Sequence, residues 1–121
     1  MKDDPLFDLQ LIIDPAILDH SALLRHLEGM GLFDMNASNN GLYLPVDQEL
    51  AAKLGCSRYS SDPVPAYREG MLQELLKIEL SPDGQLLMQG DQAAIPRVVD
   101  AVSRLQDLIT VALINGDLVL A

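Results

Sequence analysis

The two histidines are the side chains best suited to acid–base chemistry, because imidazole exchanges protons readily near neutral pH. His20 and His26 are six residues apart, in a segment predicted to be helical. Histidines that bind one metal ion from a single helix are normally four residues apart. We therefore expect structural or surface roles for both, with His20 next to Asp19 in a capping or scaffold position.

Hydroxyl and carboxylate groups are a second source of chemistry. Three serines near the middle of the chain have no neighbouring histidine to act as a base, which disfavours a serine hydrolase; they are Ser57, Ser60 and Ser61. Carboxylates bind magnesium, so a rearranged metal site is an alternative, although the spacing of the acidic residues does not favour it. The carboxylates concerned are Asp8, Asp14 and Asp62.

A series of short segments resembles a known nuclease family. The most distinctive is Asn-Asn-Gly-Leu-Tyr-Leu-Pro at residues 39–45. Further matching pieces precede and follow it, at residues 19–24, 31–34, 66–70 and 111–118. In this order, the pieces resemble bacterial toxin nucleases of the AHH family, a branch of the HNH/endonuclease VII superfamily. The resemblance covers about residues 9–118 and implies a ββα-metal scaffold.

The departures from the family pattern carry the functional prediction. The family has a His-His pair where this chain has Leu9 and Gln10. It has two more histidines a few residues before its Ala-Tyr, where this chain has Ser60 and Val64. In catalytic relatives, one imidazole activates water and others hold a divalent metal. The resemblance therefore implies a degenerate site with no catalytic residue, no metal ligand and no cofactor.

Asn40 matches the asparagine with which catalytic members of the family orient a histidine. Because the histidines are missing, we expect Asn40 to serve the turn itself. Asn-Gly pairs favour tight turns with positive φ, and Gly41 follows Asn40.

The net charge of the chain disfavours nucleic-acid partners and favours basic proteins. The chain has 18 acidic and 8 basic residues, a formal net charge of −10 and a pI near 4.3. The basic residues are scattered, without the basic stripe typical of nucleic-acid binders, so we expect no nucleic-acid partner. An acidic surface could simply serve solubility. It also attracts basic proteins, and a nuclease is such a protein.

Length and composition predict one domain over residues 1–121. The hydrophobic fraction of 49% suits a folded chain, and the absence of tryptophan leaves the core mainly to aliphatic residues. Cys56 is the single cysteine, which excludes an internal disulfide and a cysteine zinc site. The start, Met-Lys-Asp-Asp-Pro, does not resemble a signal peptide, and no apolar run is long enough to span a membrane. We expect a cytoplasmic protein with no membrane partner.

The pattern of apolar residues predicts an α+β fold that is mainly α. Partial alternation favours a strand at residues 7–13, and residues 41–44 form a second, short strand. Helical spacing predicts about four helices, at residues 19–30, 48–54, 66–80 and from 92–95 to about 115. Residues 81–84 are either a turn or a helix restart. With the resemblance, this is a ββα-metal-like (HNH/AHH) scaffold with a short β-hairpin.

The apolar tail, residues 118–121, has two interpretations. It either forms a strand that pairs within the fold, the commoner arrangement, or is buried at an interface. If the tail is buried at an interface, Leu118, Val119 and Leu120 are candidate partner contacts. Asp62, in the loop that lacks the family's histidines, is a further candidate.

These observations predict a catalytically inactive, nuclease-like module that binds protein. Its most concrete form is an immunity or antitoxin-type protein against a related nuclease toxin. A metal-dependent nuclease with a rearranged site is the first alternative. A structural or dimerising remnant, for which homo-oligomers would be expected, is the second.

Overall fold

Two strands that are far apart in the sequence form the sheet. The computed structural model describes residues 6–121. β1 (Phe7–Leu11) runs antiparallel to β2 (Gly41–Pro45), and the start of each strand pairs with the end of the other. Residues 12–40 connect the strands. The predicted hairpin is therefore confirmed as an antiparallel pair, but without a tight turn, and β1 ends two residues earlier than expected.

The connection contains two helices where the sequence predicted one. α2 is Ala22–Gly29 and confirms the helix predicted at residues 19–30, although it begins three residues later; α1, Pro15–Asp19, was not predicted. The physical reason is that each helix has its own N-cap. The Asp14 carboxylate accepts an N–H from the first turn of α1 at 2.9 Å, and the Ser21 hydroxyl accepts one from α2 at 3.2 Å.

The helix after β2 is confirmed. α3 is Gln48–Leu54; Asp47 caps its start by accepting the N–H of Leu50 at 2.9 Å. Gly55 ends it at a φ of 71°, a left-handed conformation that favours glycine. The order strand, strand, short helix thus agrees with the predicted secondary structure.

Three helices complete the chain. α4 is Pro65–Leu80, α5 is Pro82–Met88 and α6 is Ile95–Asn115. Residues 81–84 are a helix restart, since the Ser81 hydroxyl accepts an N–H from the first turn of α5 at 3.1 Å. The described chain therefore has six α-helices rather than about four, together with short 3-10 turns at Ser38–Asn40 and Gln92–Ala94.

One apolar core extends from Ile12 to Leu120. The inner face of the sheet contributes to it through the buried Leu44. Full burial of a leucine or isoleucine stabilises the fold by about 1.5–3 kcal/mol. The largest fully buried side chains are Ile12, Ile13, Ile17, Leu23, Leu24, Leu27, Leu44, Met71, Leu75, Leu87, Leu113 and Leu120.

The tail packs inside the fold without forming a strand. Leu120 is fully buried; its N–H donates to the Ser57 hydroxyl at 3.1 Å, and its C=O accepts the N–H of Val64 at 2.9 Å. The expected strand is therefore wrong, whereas the expected burial within the fold is observed. The reason is that a serine side chain and a loop N–H satisfy the backbone of Leu120 in place of a neighbouring strand.

Two expectations concerned membranes: the absence of a membrane-spanning segment and the absence of a signal peptide. Within residues 6–121, no helix combines the length and the apolar character needed to cross a bilayer. The start that does not resemble a signal peptide, residues 1–5, lies outside the described residues.

Candidate functional site

Two positions at which the resemblance expects histidines are in direct contact. Gln10 is only 4% exposed, and its Oε1 accepts the backbone N–H of Ser60 at 2.9 Å. This bond ties β1 to the loop that precedes α4. The side-chain amide of Gln10 therefore has a structural role. It cannot act as a general base, because an amide does not take up a proton at neutral pH.

A small hollow lies beside β1, and we call it the β1 hollow. Its volume is 170 Å³, and its lining includes Leu9, Gln10, Asp14, Ser60 and Ser61. No residue of β2 lines it, which places it on the side of β1 that faces away from β2. The Leu9 side chain offers this hollow only aliphatic groups, so it supplies no proton acceptor at a position where the resemblance expects a histidine.

Asn40 lies apart from the β1 hollow and is fully buried. Its Oδ1 accepts the N–H of Ile13 at 2.8 Å and the side-chain amide of Gln106 at 3.1 Å. Its Nδ2 donates to the C=O groups of Ile13 and Met35, both at 2.9 Å. The expected turn role is wrong, because Gly41 has a φ of −127° and is extended. Asn40 instead joins the end of β1 to α6 and to the loop before β2.

Val64 is also outside the β1 hollow. The residue is 38% exposed, and its N–H donates to the C=O of Leu120 at 2.9 Å. It stands at the N-cap of α4 without a side-chain hydrogen bond, because valine has no acceptor. The five positions of the predicted degenerate site are therefore divided: the hollow brings together Leu9, Gln10 and Ser60, whereas Asn40 and Val64 lie elsewhere.

Arg68 is the charged centre next to the β1 hollow, and the sequence analysis missed it. Its Nε and Nη2 contact the Asp14 carboxylate at 2.9 and 2.8 Å, and its Nη1 contacts Asp62 at 3.0 Å. Hydrogen bonding to Asp14 is the main reason why the pKa of Arg68 is raised. Asp62, an expected partner contact, is 87% exposed, so it can still meet a partner. Asp14 is 54 residues from Arg68 in the sequence, so no local pattern could have indicated that the two side chains form an ion pair.

The carboxylates considered for a rearranged metal site are not gathered around one point. Asp8 accepts the N–H of Leu9 at 2.8 Å, while Asp14 and Asp62 share Arg68. Among residues 6–121, no group of three or more His, Cys, Asp or Glu side chains is placed to hold a metal ion.

The histidines do not share the single helix expected from the sequence, because His20 follows the end of α1 and His26 lies within α2. His20 follows the last residue of α1 as its C-cap, and its Nδ1 is 2.8 Å from the C=O of Ala16. His26 is an exposed residue of α2. His20 therefore has the capping role that was expected for it.

Tyr67 links α4 to the end of β1. Its hydroxyl donates to the C=O of Ile12 at 2.6 Å, and the residue is 4% exposed. Burial raises the pKa of this phenol above its ordinary value, and the negative charge of Asp14 raises it further. The neutral form of Tyr67 is thus the form that the fold stabilises.

We expect the protein to lose stability as pH rises above the ordinary tyrosine pKa of 10.0. The unfolded chain releases the Tyr67 proton at a lower pH than the folded chain, so alkaline pH favours unfolding. Tyr67→Phe should weaken this dependence. At neutral pH it should cost about 1–3 kcal/mol, because the buried C=O of Ile12 loses its donor. Urea denaturation at several pH values, followed by circular dichroism, measures both effects.

The control for this prediction is Tyr43→Phe, at a tyrosine that is 66% exposed. Equal alkaline slopes in the two variants would contradict the role assigned to Tyr67.

The outer face of the sheet is an apolar surface, formed by Phe7, Leu9, Leu11 and Tyr43. Phe7 is 40% exposed, Leu9 44% and Tyr43 66%. An open groove of 570 Å³ continues this face toward residues 35–38, and no charged side chain lines it. Contiguous exposed apolar surface on a folded domain often marks a binding site. The outer face is therefore suited to contact with an apolar surface, and it holds no nucleophile with an adjacent base.

The tail residues expected to contact a partner differ in exposure. Val119 is 52% exposed, Leu118 is half-buried and Leu120 is fully buried. Leu120 is therefore a core residue in the folded chain and not an exposed anchor. Val119 is the tail residue at which the predicted contact can still form.

Comparisons with known proteins add nothing to this description. No protein-family model, no curated protein and no solved structure matches the chain. The AHH resemblance therefore rests on the order of the matching segments in the sequence.

Proposed function

We propose that this chain is a catalytically inactive, nuclease-like domain on an AHH-type ββα scaffold, and that it works by binding a basic protein. The most specific form of the proposal is an immunity or antitoxin-type role against a nuclease toxin of related fold. The observation that carries it is the chemistry beside β1. Where the resemblance expects two adjacent histidines, the chain has an exposed Leu9 and a Gln10 committed to Ser60.

Charge supports a basic partner. Within residues 6–121, four basic side chains contact a carboxylate of the same chain, namely Arg68, Lys77, Arg97 and Arg104. With a net charge of −10, the surface attracts cations over a distance and accelerates association with a basic protein. The substrate groove of a nuclease is basic because it must neutralise phosphates. An acidic domain of this size is a suitable cover for such a groove.

Apolar contacts must hold the complex after charge has brought the proteins together. Exposed ion pairs are each worth about 0–1 kcal/mol, whereas buried aromatic anchors dominate the energy of interfaces. The outer face of the sheet offers such an anchor in Tyr43, next to Leu9, its partner in the strand register. We therefore assign the contact with the partner to this face.

The test is co-expression with an AHH-type nuclease toxin that has its catalytic histidines, and the first candidate to try is any such toxin found to be encoded next to this gene. We expect the cells to survive and the complex to persist through gel filtration, with an association rate that falls as salt rises. Tyr43→Ala should weaken the complex by at least about tenfold, as expected for an interface hot spot. Leu108→Ala is the matched control, because Leu108 lies on α6 and is also 66% exposed.

Two results would contradict the proposal. The first is that cells die at the same rate with and without the protein and that no complex forms. The second is that the purified protein cleaves DNA or RNA in magnesium or manganese and that Asp62→Ala abolishes the cleavage while the fold persists. The second result would favour a nuclease with a rearranged site.

A further inference from the structure

β1 has an outer edge that no described strand covers. The N–H of Val46 donates to the C=O of Leu6 at 3.0 Å, and the N–H of Ile12 donates to the C=O of Asn40 at 2.9 Å. Both bonds join even-numbered positions, and bonded positions alternate along an antiparallel strand. The odd-numbered residues of β1 therefore direct their backbone N–H and C=O groups away from β2; they are Phe7, Leu9 and Leu11.

These outward groups have few partners within residues 6–121. The N–H of Leu9 donates to the Asp8 carboxylate at 2.8 Å. The Gln10 side-chain amide approaches the C=O of Leu11 at 3.5 Å, the outer limit of a hydrogen bond. No other backbone group in the described part of the chain bonds to them. An edge of this kind is a template for another strand.

The opposite edge of the sheet is blocked at both ends of β2, which leaves only the backbone of Tyr43 facing outward between them. Pro45 of β2 has no N–H, and its C=O already accepts the N–H of Tyr59 at 2.8 Å. At the other end of β2, the N–H of Gly41 donates to the C=O of Ser38. β1 is therefore the edge along which a further strand can pair.

The surroundings of the β1 edge are negatively charged. The carboxylate of Asp8 lies at the edge, and Asp14 lines the β1 hollow beside it. Asp62 is held in the same cluster through Arg68, so Asp14 and Asp62 share one guanidinium while Asp8 has no cationic partner among the described contacts. Arg58, the other cation of the neighbouring loop, does not line the hollow. The edge therefore favours an incoming strand with positive charges.

We propose that the outer edge of β1 binds an extended, basic segment of the partner as a third strand of the sheet. This inference rests on the proposed function, since it takes the partner to be a basic protein. Side chains of an added strand alternate between the two faces of the sheet. One set would contact the apolar outer face beside Phe7 and Leu9. The other would project toward the β1 hollow, where lysine or arginine meets Asp14 and Asp62.

A second copy of the chain fits this edge less well. Two chains with a net charge of −10 repel each other, and pairing of two β1 edges would bring both Asp8 carboxylates together. A basic strand removes this repulsion.

The probe is a short, fluorescently labelled peptide of alternating lysine and valine, titrated at low salt and followed by anisotropy. We expect saturable binding that weakens with added salt, and no binding of the matching glutamate–valine peptide. Leu9→Pro removes an outward N–H that β2 does not use. An added strand would take this N–H over from the Asp8 carboxylate, so its removal should weaken binding by up to about tenfold, the effect of one lost backbone hydrogen bond. Leu9→Ala keeps the N–H and should weaken binding by only about threefold.

Amide hydrogen exchange on the wild-type protein keeps the test independent of the fold of Leu9→Pro. With the lysine–valine peptide, the amides of Phe7 and Leu11 should gain protection, while that of Tyr43 on the opposite edge should not.

The strand proposal is overturned if the peptide fails to bind, if protection appears elsewhere, or if folded Leu9→Pro and Leu9→Ala bind equally well. If the nuclease complex forms with wild type and survives Leu9→Pro, the proposed function stands without the added strand. If wild type forms no complex, the proposed function fails.

Discussion

Asn40→Ala is expected to destabilise the protein by about 3–5 kcal/mol, although it removes only a small polar side chain. The side chain of Asn40 makes four hydrogen bonds in a fully buried position. Alanine would leave both the N–H and the C=O of Ile13 without a partner, and Ile13 is itself fully buried. Each unsatisfied buried group costs about 1–3 kcal/mol. This loss is a large share of the 5–15 kcal/mol that stabilises a typical domain.

Urea denaturation followed by far-ultraviolet circular dichroism measures this effect, and it suits a chain without tryptophan. Asn39→Ala is the matched control, because Asn39 is the exposed neighbour and makes one side-chain bond, to Gln106 at 3.3 Å. We expect a change of no more than about 1 kcal/mol for this control. Similar losses of stability in the two variants would contradict the structural role of Asn40.

The elements that the sequence predicted correctly are those bounded by local signals. Asp47 and Gly55 flank α3, and each acts on a neighbouring turn of the chain, so both ends could be inferred without any tertiary contact. α6 was similarly defined by its apolar spacing and by Gly116, which has a φ of 75°. Caps and periodicity are short-range properties, and for these helices the fold does not override them.

α1 shows a local signal that was present but not used. Asp14 followed by Pro15 is a strong helix start, since aspartate caps the first turn and proline fits it. The apolar alternation before it favoured a strand that continued to residue 13, and this interpretation hid the cap. The helix count was therefore too low at this point and again at α5, where Ser81 starts a new helix.

The site could be predicted only in part, because its key contacts are long-range. Gln10 meets Ser60 across 50 positions, and Asn40 meets Gln106 across 66. The resemblance identified Gln10, Ser60 and Asn40 as positions of interest, but it did not indicate what they contact. Arg68 had no place in that pattern, although it organises the charge beside the β1 hollow.

The tail shows why an apolar pattern does not determine the structure that buries it. Residues 118–121 are apolar enough for a strand or an interface, and both alternatives follow from composition alone. What decides between them is Ser57, which is fully buried and whose hydroxyl accepts the N–H of Leu120. A serine 63 positions away has no detectable relation to the tail in the sequence.

Leu120→Ala should destabilise the protein by about 2–5 kcal/mol, the range for truncating a fully buried leucine. Val119→Ala, at a neighbour that is 52% exposed, should change stability by no more than about 0.5 kcal/mol. Ser57→Ala should cost about 1–3 kcal/mol, because the buried N–H of Leu120 loses its acceptor. Urea midpoints of the three variants, with unchanged slopes, give these values.

If Leu120→Ala destabilised the protein as little as Val119→Ala, the tail would not be docked in solution. Leu118, Val119 and Leu120 would then be available together as an apolar anchor for a partner, and the contact now assigned to the outer face of the sheet would have to be tested at the tail instead.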